Sequence, residues 1–104
     1  MHRDEAITLT LQALAHIAAD EKSLRALQAQ TGLDADGIRQ ATGHPELLGG
    51  ILDFLLADER LLLSFCAHAG IAPETPARAR LALPGAPPEL RDYVAAMSHG
   101  TGRR

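Results

Sequence analysis

A chain of 104 residues with a formal charge of −3 and only 3% aromatic residues is one domain, large enough for a single core but with little stability to spare. Ala and Leu, both strong helix formers, supply roughly a third of the residues, and β-branched residues are few and scattered, which excludes a β-rich architecture. No basic patch outside Arg103-Arg104 attracts phosphate, and the lone Cys66 allows no internal disulfide.

The opening Met1-His2-Arg3-Asp4-Glu5 lacks the basic-then-apolar order of a signal peptide. The longest apolar block is broken by Asp53, Asp58, Glu59 and Arg60, so no membrane span is expected and the cytoplasm is the expected location.

In chain order, a first helix is predicted from about Asp4 to Ala19. Ile7, Leu11, Leu14 and Ala18, with Ala15 beside them, form the stripe expected to face the core. A second stripe, Ala6, Leu9, Ala13 and Ile17, lies on another side. Asp20 reads as the N-cap of a second helix that turns Leu24 and Leu27 inward and ends at Gly32. Leu33 and Ile38 flank Asp34 as a hydrophobic staple around the N-cap of a short third helix, which closes at Gly43.

Pro45 opens a fourth helix with Glu46 near its positive end. Leu48, Ile51, Leu52 and Leu55 form its main face, and Leu47, Phe54 and Leu56 widen it beyond the stripe of an ordinary surface helix. The other side holds Gly49, Gly50, Asp53 and Ala57. Two interior glycines cost about 1 kcal/mol each relative to Ala, so close approach of another backbone is expected there. Asp58 caps a fifth helix that buries Leu61, Leu62, Phe65, Cys66 and Ala69 and stops at Gly70. Pro73 and Pro76 both suit the first turn of a sixth helix, which ends near Leu83.

These elements predict an all-α fold, a compact orthogonal bundle of five to seven short helices centred on Leu52, Leu55, Leu62 and Phe65. The helical domain covers residues 1–85. Residues 86–104 read as a proline-containing linker, a short seventh helix with Leu90, Tyr93, Val94 and Met97 on one stripe, and a tail frayed from Ser98. Leu9, Ala13 and Ile17 need cover, and the seventh helix supplies a matching stripe, so the tail is expected to dock there. A protein partner or a second copy is the alternative cover.

This order of signals resembles the bacterial domain-of-unknown-function family 3572. The resemblance rests on Ala13-Leu14-Ala15 through Ala18-Ala19-Asp20, on Thr31-Gly32-Leu33-Asp34, and above all on Leu52-Asp53-Phe54-Leu55-Leu56 with Asp58-Glu59-Arg60-Leu61-Leu62. The closing Ala79-Arg80-Leu81-Ala82-Leu83-Pro84-Gly85 also fits, so the likeness runs from about Asp4 to Gly85. His16 departs from the large apolar or aromatic residue expected at its position. The resemblance implies a small helical protein, mainly alphaproteobacterial, with no assigned activity, ligand or cofactor. Its members are expected near single-domain response regulators, which points toward signalling.

Chemistry-bearing patterns are sparse. A helix-turn-helix threads onto Leu24 to Thr42, but its second helix opens Asp34-Ala35-Asp36-Gly37, leaving Arg39 and Gln40 as the only readers of bases. No nucleic-acid binding is therefore expected. His2, His16, His44, His68 and His99 share no metal-ligand spacing, the nearest helical pairing being His16 with Asp20. Cys66 lies mid-helix on an apolar face, where a thiolate is disfavoured. Asp53, Asp58 and Glu59 read better as solvated or capping carboxylates than as an acid/base cluster. The expectation is a non-enzymatic interaction or adaptor module without metal or cofactor. The alternatives are a transcription-associated helix-turn-helix protein and a small-ligand binder.

Overall fold

Most of the helices start where an aspartate side chain or a proline resolves unpaired first-turn N–H groups. The structure, a computed structural model, describes the backbone of residues 1–102 and the side chains of residues 1–96. Seven helices and no strand occur among the described residues: α1 (Arg3–Ala18), α2 (Glu21–Thr31), α3 (Ala35–Ala41), α4 (Pro45–Ala57), α5 (Glu59–Ala69), α6 (Thr75–Leu81) and α7 (Pro88–Gly102). Asp20, Asp34 and Asp58 accept from the backbone N–H of Ser23, Gly37 and Leu61 at 3.1, 2.8 and 3.1 Å, as the N-cap reading requires. Gly32 and Gly70 end α2 and α5 in the left-handed region, with φ of +75° and +70°, where a Cβ is strained. Pro76 sits in the first turn of α6, which is short and ends at Leu81 rather than near Leu83; Pro73 precedes it in a separate turn.

Helix α4 is the hub and packs against α1, α2, α3, α5 and α6. Its Leu48, Ile51, Leu52 and Leu55 are fully buried and meet Leu62, Phe65 and Cys66 of α5 in one core. The predicted centre of the bundle is therefore found in place. Leu61 is only half-buried and Ala69 is exposed, so the buried face of α5 is narrower than its sequence stripe.

The two stripes of α1 exchange roles. Ala6, Leu9, Ala13 and Ile17 are buried, together with Thr10, whose hydroxyl donates to the Ala6 carbonyl at 2.7 Å. Ile7 and Leu14 are half-buried, Ala18 is exposed, and Leu11 keeps 37% of its surface. Close packing decides the outcome. Helices α4 and α6 both press on α1, and α6 brings the buried alanines Ala77 and Ala79. The small side chains of Ala6 and Ala13 allow that approach, whereas a row of leucines holds a neighbour further off.

The expected docking of the tail is corrected for the same reason. Leu9, Ala13 and Ile17 are covered by the bundle itself, chiefly by α4 and α6, so they are neither a tail site nor a partner site. Among the described residues α7 packs on α6 and makes no contact with α1. Leu90 and Val94 are half-buried there and Tyr93 is 50% exposed. The side chain of Met97 lies outside the described residues. Helix α7 is longer than the short helix expected and runs through the stretch from Ser98 to Gly102 that was expected to fray; Arg103 and Arg104 lie outside the described residues.

Candidate functional site

Three polar or open features stand apart from the core, and the most buried is a clamp around Arg80. This α6 side chain is 5% exposed. Its Nε donates to Asp53 Oδ1 at 2.8 Å and its Nη2 to Oδ2 at 3.3 Å. Nη1 donates to the Pro84 carbonyl at 2.9 Å, and Nη2 also to that of Gly85 at 3.0 Å. The planar fork thus joins α4, α6 and the following linker through charge-assisted bonds.

Gly49 makes the clamp possible. A Cβ at that position would lie 2.8 Å from the Arg80 Cζ, so the space on the glycine face of α4 is filled by a guanidinium and not by the neighbouring backbone expected from sequence. Gly50 is different, since a Cβ there meets only the Thr31 methyl at 3.9 Å. Gly50→Ala should therefore stabilise the fold by up to about 1 kcal/mol through helix propensity. Gly49→Ala should destabilise it by about 1–3 kcal/mol through overpacking against the clamp. Urea unfolding of the two variants checks this, and shifts of the same sign would contradict the assignment of Gly49 to Arg80.

Chemically the clamp is closed. Four of the five Arg80 N–H donors bond to protein acceptors, and Asp53 is held as a partner to a cation. Asp58 is a cap, and Glu59 sits in the first turn of α5. The three carboxylates therefore do not converge.

A second feature is the groove of about 650 Å³ between α1 and α5, lined by Gln12, Ala15, His16, Phe65 and His68 among others. His16 Nε2 lies 3.1 Å from Ser64 Oγ, and its ring centroid is 5.6 Å from Phe65 and 5.5 Å from His68. Sequence spacing pointed to Asp20 as the helical neighbour of His16, but Asp20 is occupied. It accepts from the Ser23 hydroxyl at 2.7 Å and from the Ser23 N–H, bonds that hold its carboxyl below the usual carboxylate range. Among the described residues no third group hydrogen-bonds to the His16–Ser64 pair, and Ser64 stands mid-helix, so the pair as described lacks the orienting partner of a nucleophilic site. No group of three or more His, Cys, Asp and Glu side chains suited to a metal ion occurs among the described residues. His44 sits at the start of α4 beside Glu46, at 3.5 Å, and the His99 side chain lies outside the described residues.

Cys66 is buried, and burial pushes its thiol up, with the negative charge of Glu74 adding to the effect. Both causes disfavour the thiolate, in keeping with an inert core cysteine.

The third feature is a cleft of about 440 Å³ where the uncovered face of α1 meets α2 and α3. Leu11, Leu14, Ala15 and Ala18 form one wall, Leu24 and Gln28 a second, and Ala35, Ile38 and Arg39 the end. Three alanines on the rim keep it open, while Leu14, Leu24 and Ile38 form its deeper part. Arg39 is its one charged lining residue and forms an exposed ion pair with Asp36 on the same helix.

The family model described as a protein of unknown function (DUF3572) matches residues 3–86. The chain belongs to that family. The match spans α1 to α6 and the first part of the linker, so it takes in the cleft, the His16 groove and the Arg80 clamp and stops short of α7. No curated protein and no solved structure matches the chain. No helix among the described residues is long and apolar enough to cross a membrane.

The clamp and the His16–Ser64–His68 contacts are long-range, joining residues 27 and 48 apart in the first two cases measured by hydrogen bonding. No local pattern reveals such pairs. The available signal for the clamp was the glycine beside a carboxylate on an otherwise apolar helix.

Proposed function

We propose that the protein is a non-enzymatic, cytoplasmic protein–protein interaction module that receives its partner in the α1–α2–α3 cleft. The observation that carries this reading is the leucine face of α1 that the bundle covers only in part, with Leu11 exposed and Leu14 half-buried. A small domain has too few helices to cover both apolar stripes of α1, and the stripe left outside forms the wall of a concave apolar surface. Such surfaces suit an apolar side chain presented by a helix or peptide.

The helix-turn-helix alternative is weaker on electrostatics. Asp34 and Asp36 open α3, and Arg39 is already paired with Asp36, so little positive potential remains for phosphate. The small-ligand alternative is weaker on polarity, because Gln28 and Arg39 are the only polar side chains lining the cleft.

A photo-crosslinking amino acid placed at position 11 tests the reading in living cells, with position 63 on the exposed side of α5 as the reference. Protein adducts are expected from position 11 and lost on introducing Ala18→Arg. Equal labelling from both positions would overturn the cleft assignment. A salt-sensitive, sequence-selective DNA complex weakened by Arg39→Ala would replace it with the regulator reading.

A further inference from the structure

The groove between α1 and α5 gathers features that favour a metal cation. Gln12 and His16 stand four residues apart on α1, and Ser64 and His68 four apart on α5, so each pair shares one helix face. The two faces meet. His16 Nε2 lies 3.1 Å from Ser64 Oγ, and the His16 and His68 rings are 5.5 Å apart between centroids and tilted by 39°. A ring nitrogen lies about 1.1 Å from its centroid and a Zn–N bond is about 2.0–2.1 Å long, so two imidazoles on one tetrahedral ion have centroids about 5 Å apart. The observed spacing fits. The local field has the right sign as well. His16 lies in the last turn of α1 and His68 in that of α5, and Ala19 and Ala69 line the same groove. Two helix C-termini, each carrying partial negative charge, therefore border it. No Lys or Arg is among its described lining residues.

We propose that His16 and His68 hold one divalent transition-metal ion of the zinc, copper or nickel class, an assignment independent of the cleft reading above. Imidazole suits these ions. Ser64 supports the site from outside. When its Oγ accepts from His16 Nε2–H, the lone pair of that ring is left on Nδ1, and ligating imidazoles are oriented by an outer bond of this kind. The buried Phe65 flanks the His16 ring at 5.6 Å between centroids. Two protein ligands are fewer than the three or four of a structural zinc site. Water therefore completes the coordination, for which a groove of about 650 Å³ has room, and the ion is exchangeable. Bound there it ties α1 to α5, and because it needs both helices in place it stabilises the folded chain.

Zinc titration of the metal-free full-length protein tests the proposal, by calorimetry and by urea unfolding with and without the ion. One zinc ion per chain should bind and raise the urea midpoint. His16→Gln and His68→Gln, at half-buried and exposed positions, should keep the helical circular dichroism and abolish both effects. The double variant should lose no more than either single one, since neither ring holds the ion alone. Ser64→Ala should weaken binding by about tenfold, as loss of an outer hydrogen bond does. His2→Gln and His44→Gln should change neither readout. On the wild type itself, zinc should shift the amide NMR signals of Ala15 to Ala19 and Ser64 to Ala69 before those around His2 or His44. The reverse order, binding that survives loss of either ring, or no binding at millimolar zinc would each overturn the site. Binding without a rise in the urea midpoint would mark an adventitious ion only and overturn it equally.

Discussion

Asp53→Ala should cost about 3–5 kcal/mol, because it strands the Arg80 guanidinium in the interior without its counter-charge. The two ends of this pair are unequal. The Arg80 side chain is 6% exposed and that of Asp53 45%, so water can rescue the carboxylate when the arginine is removed but not the guanidinium when the carboxylate is removed. Arg80→Met should therefore be the milder change, losing the bonds to Pro84 and Gly85 while leaving no buried charge. In the double variant part of the Asp53→Ala loss should be recovered. Urea unfolding of all three checks the order. An Asp53→Ala variant as stable as wild type would show that the clamp contributes nothing to the fold.

Leu55→Ala should be comparably severe, at about 2–5 kcal/mol. Leu55 is fully buried on the hub helix, within the cluster that includes Phe65 and Leu62, so truncation leaves a cavity that the packed core cannot easily close. That loss is a large share of the roughly 5–15 kcal/mol that holds a domain together. An unchanged urea midpoint would contradict the central position of α4.

Helix boundaries were readable because the caps are local. Asp20, Asp34 and Asp58 bond to N–H groups three residues away, and Gly32 and Gly70 take up the positive φ they alone tolerate well. The width of the α4 apolar face announced a helix surrounded by others. What sequence could not rank were the two stripes of α1, since both have helical period and similar hydropathy. The deciding factor was the size of Ala6 and Ala13 against the alanines of α6, a property of the packed pair and not of either helix alone. The same limit applies to Arg80. Its partner Asp53 and its two carbonyl acceptors are set by how α4 and α6 cross, and an isolated Arg in an amphipathic segment reads as solvated surface. The cleft is the other side of that packing, because Leu11 and Leu14, on the stripe expected to face the core, are the residues left to line it.

Which face of α1 is the core is thus the point on which the interaction reading depends, and one comparison tests it most directly. Leu9→Ala and Leu11→Ala are the same chemical change two positions apart on one helix, and their unfolding free energies in urea can be measured side by side. Leu9, 7% exposed, should lose about 2–5 kcal/mol, and Leu11, open to the cleft, no more than about 1 kcal/mol. Equal losses, or a greater loss at Leu11, would mean that the leucine stripe is the core after all and that no free face remains for a partner.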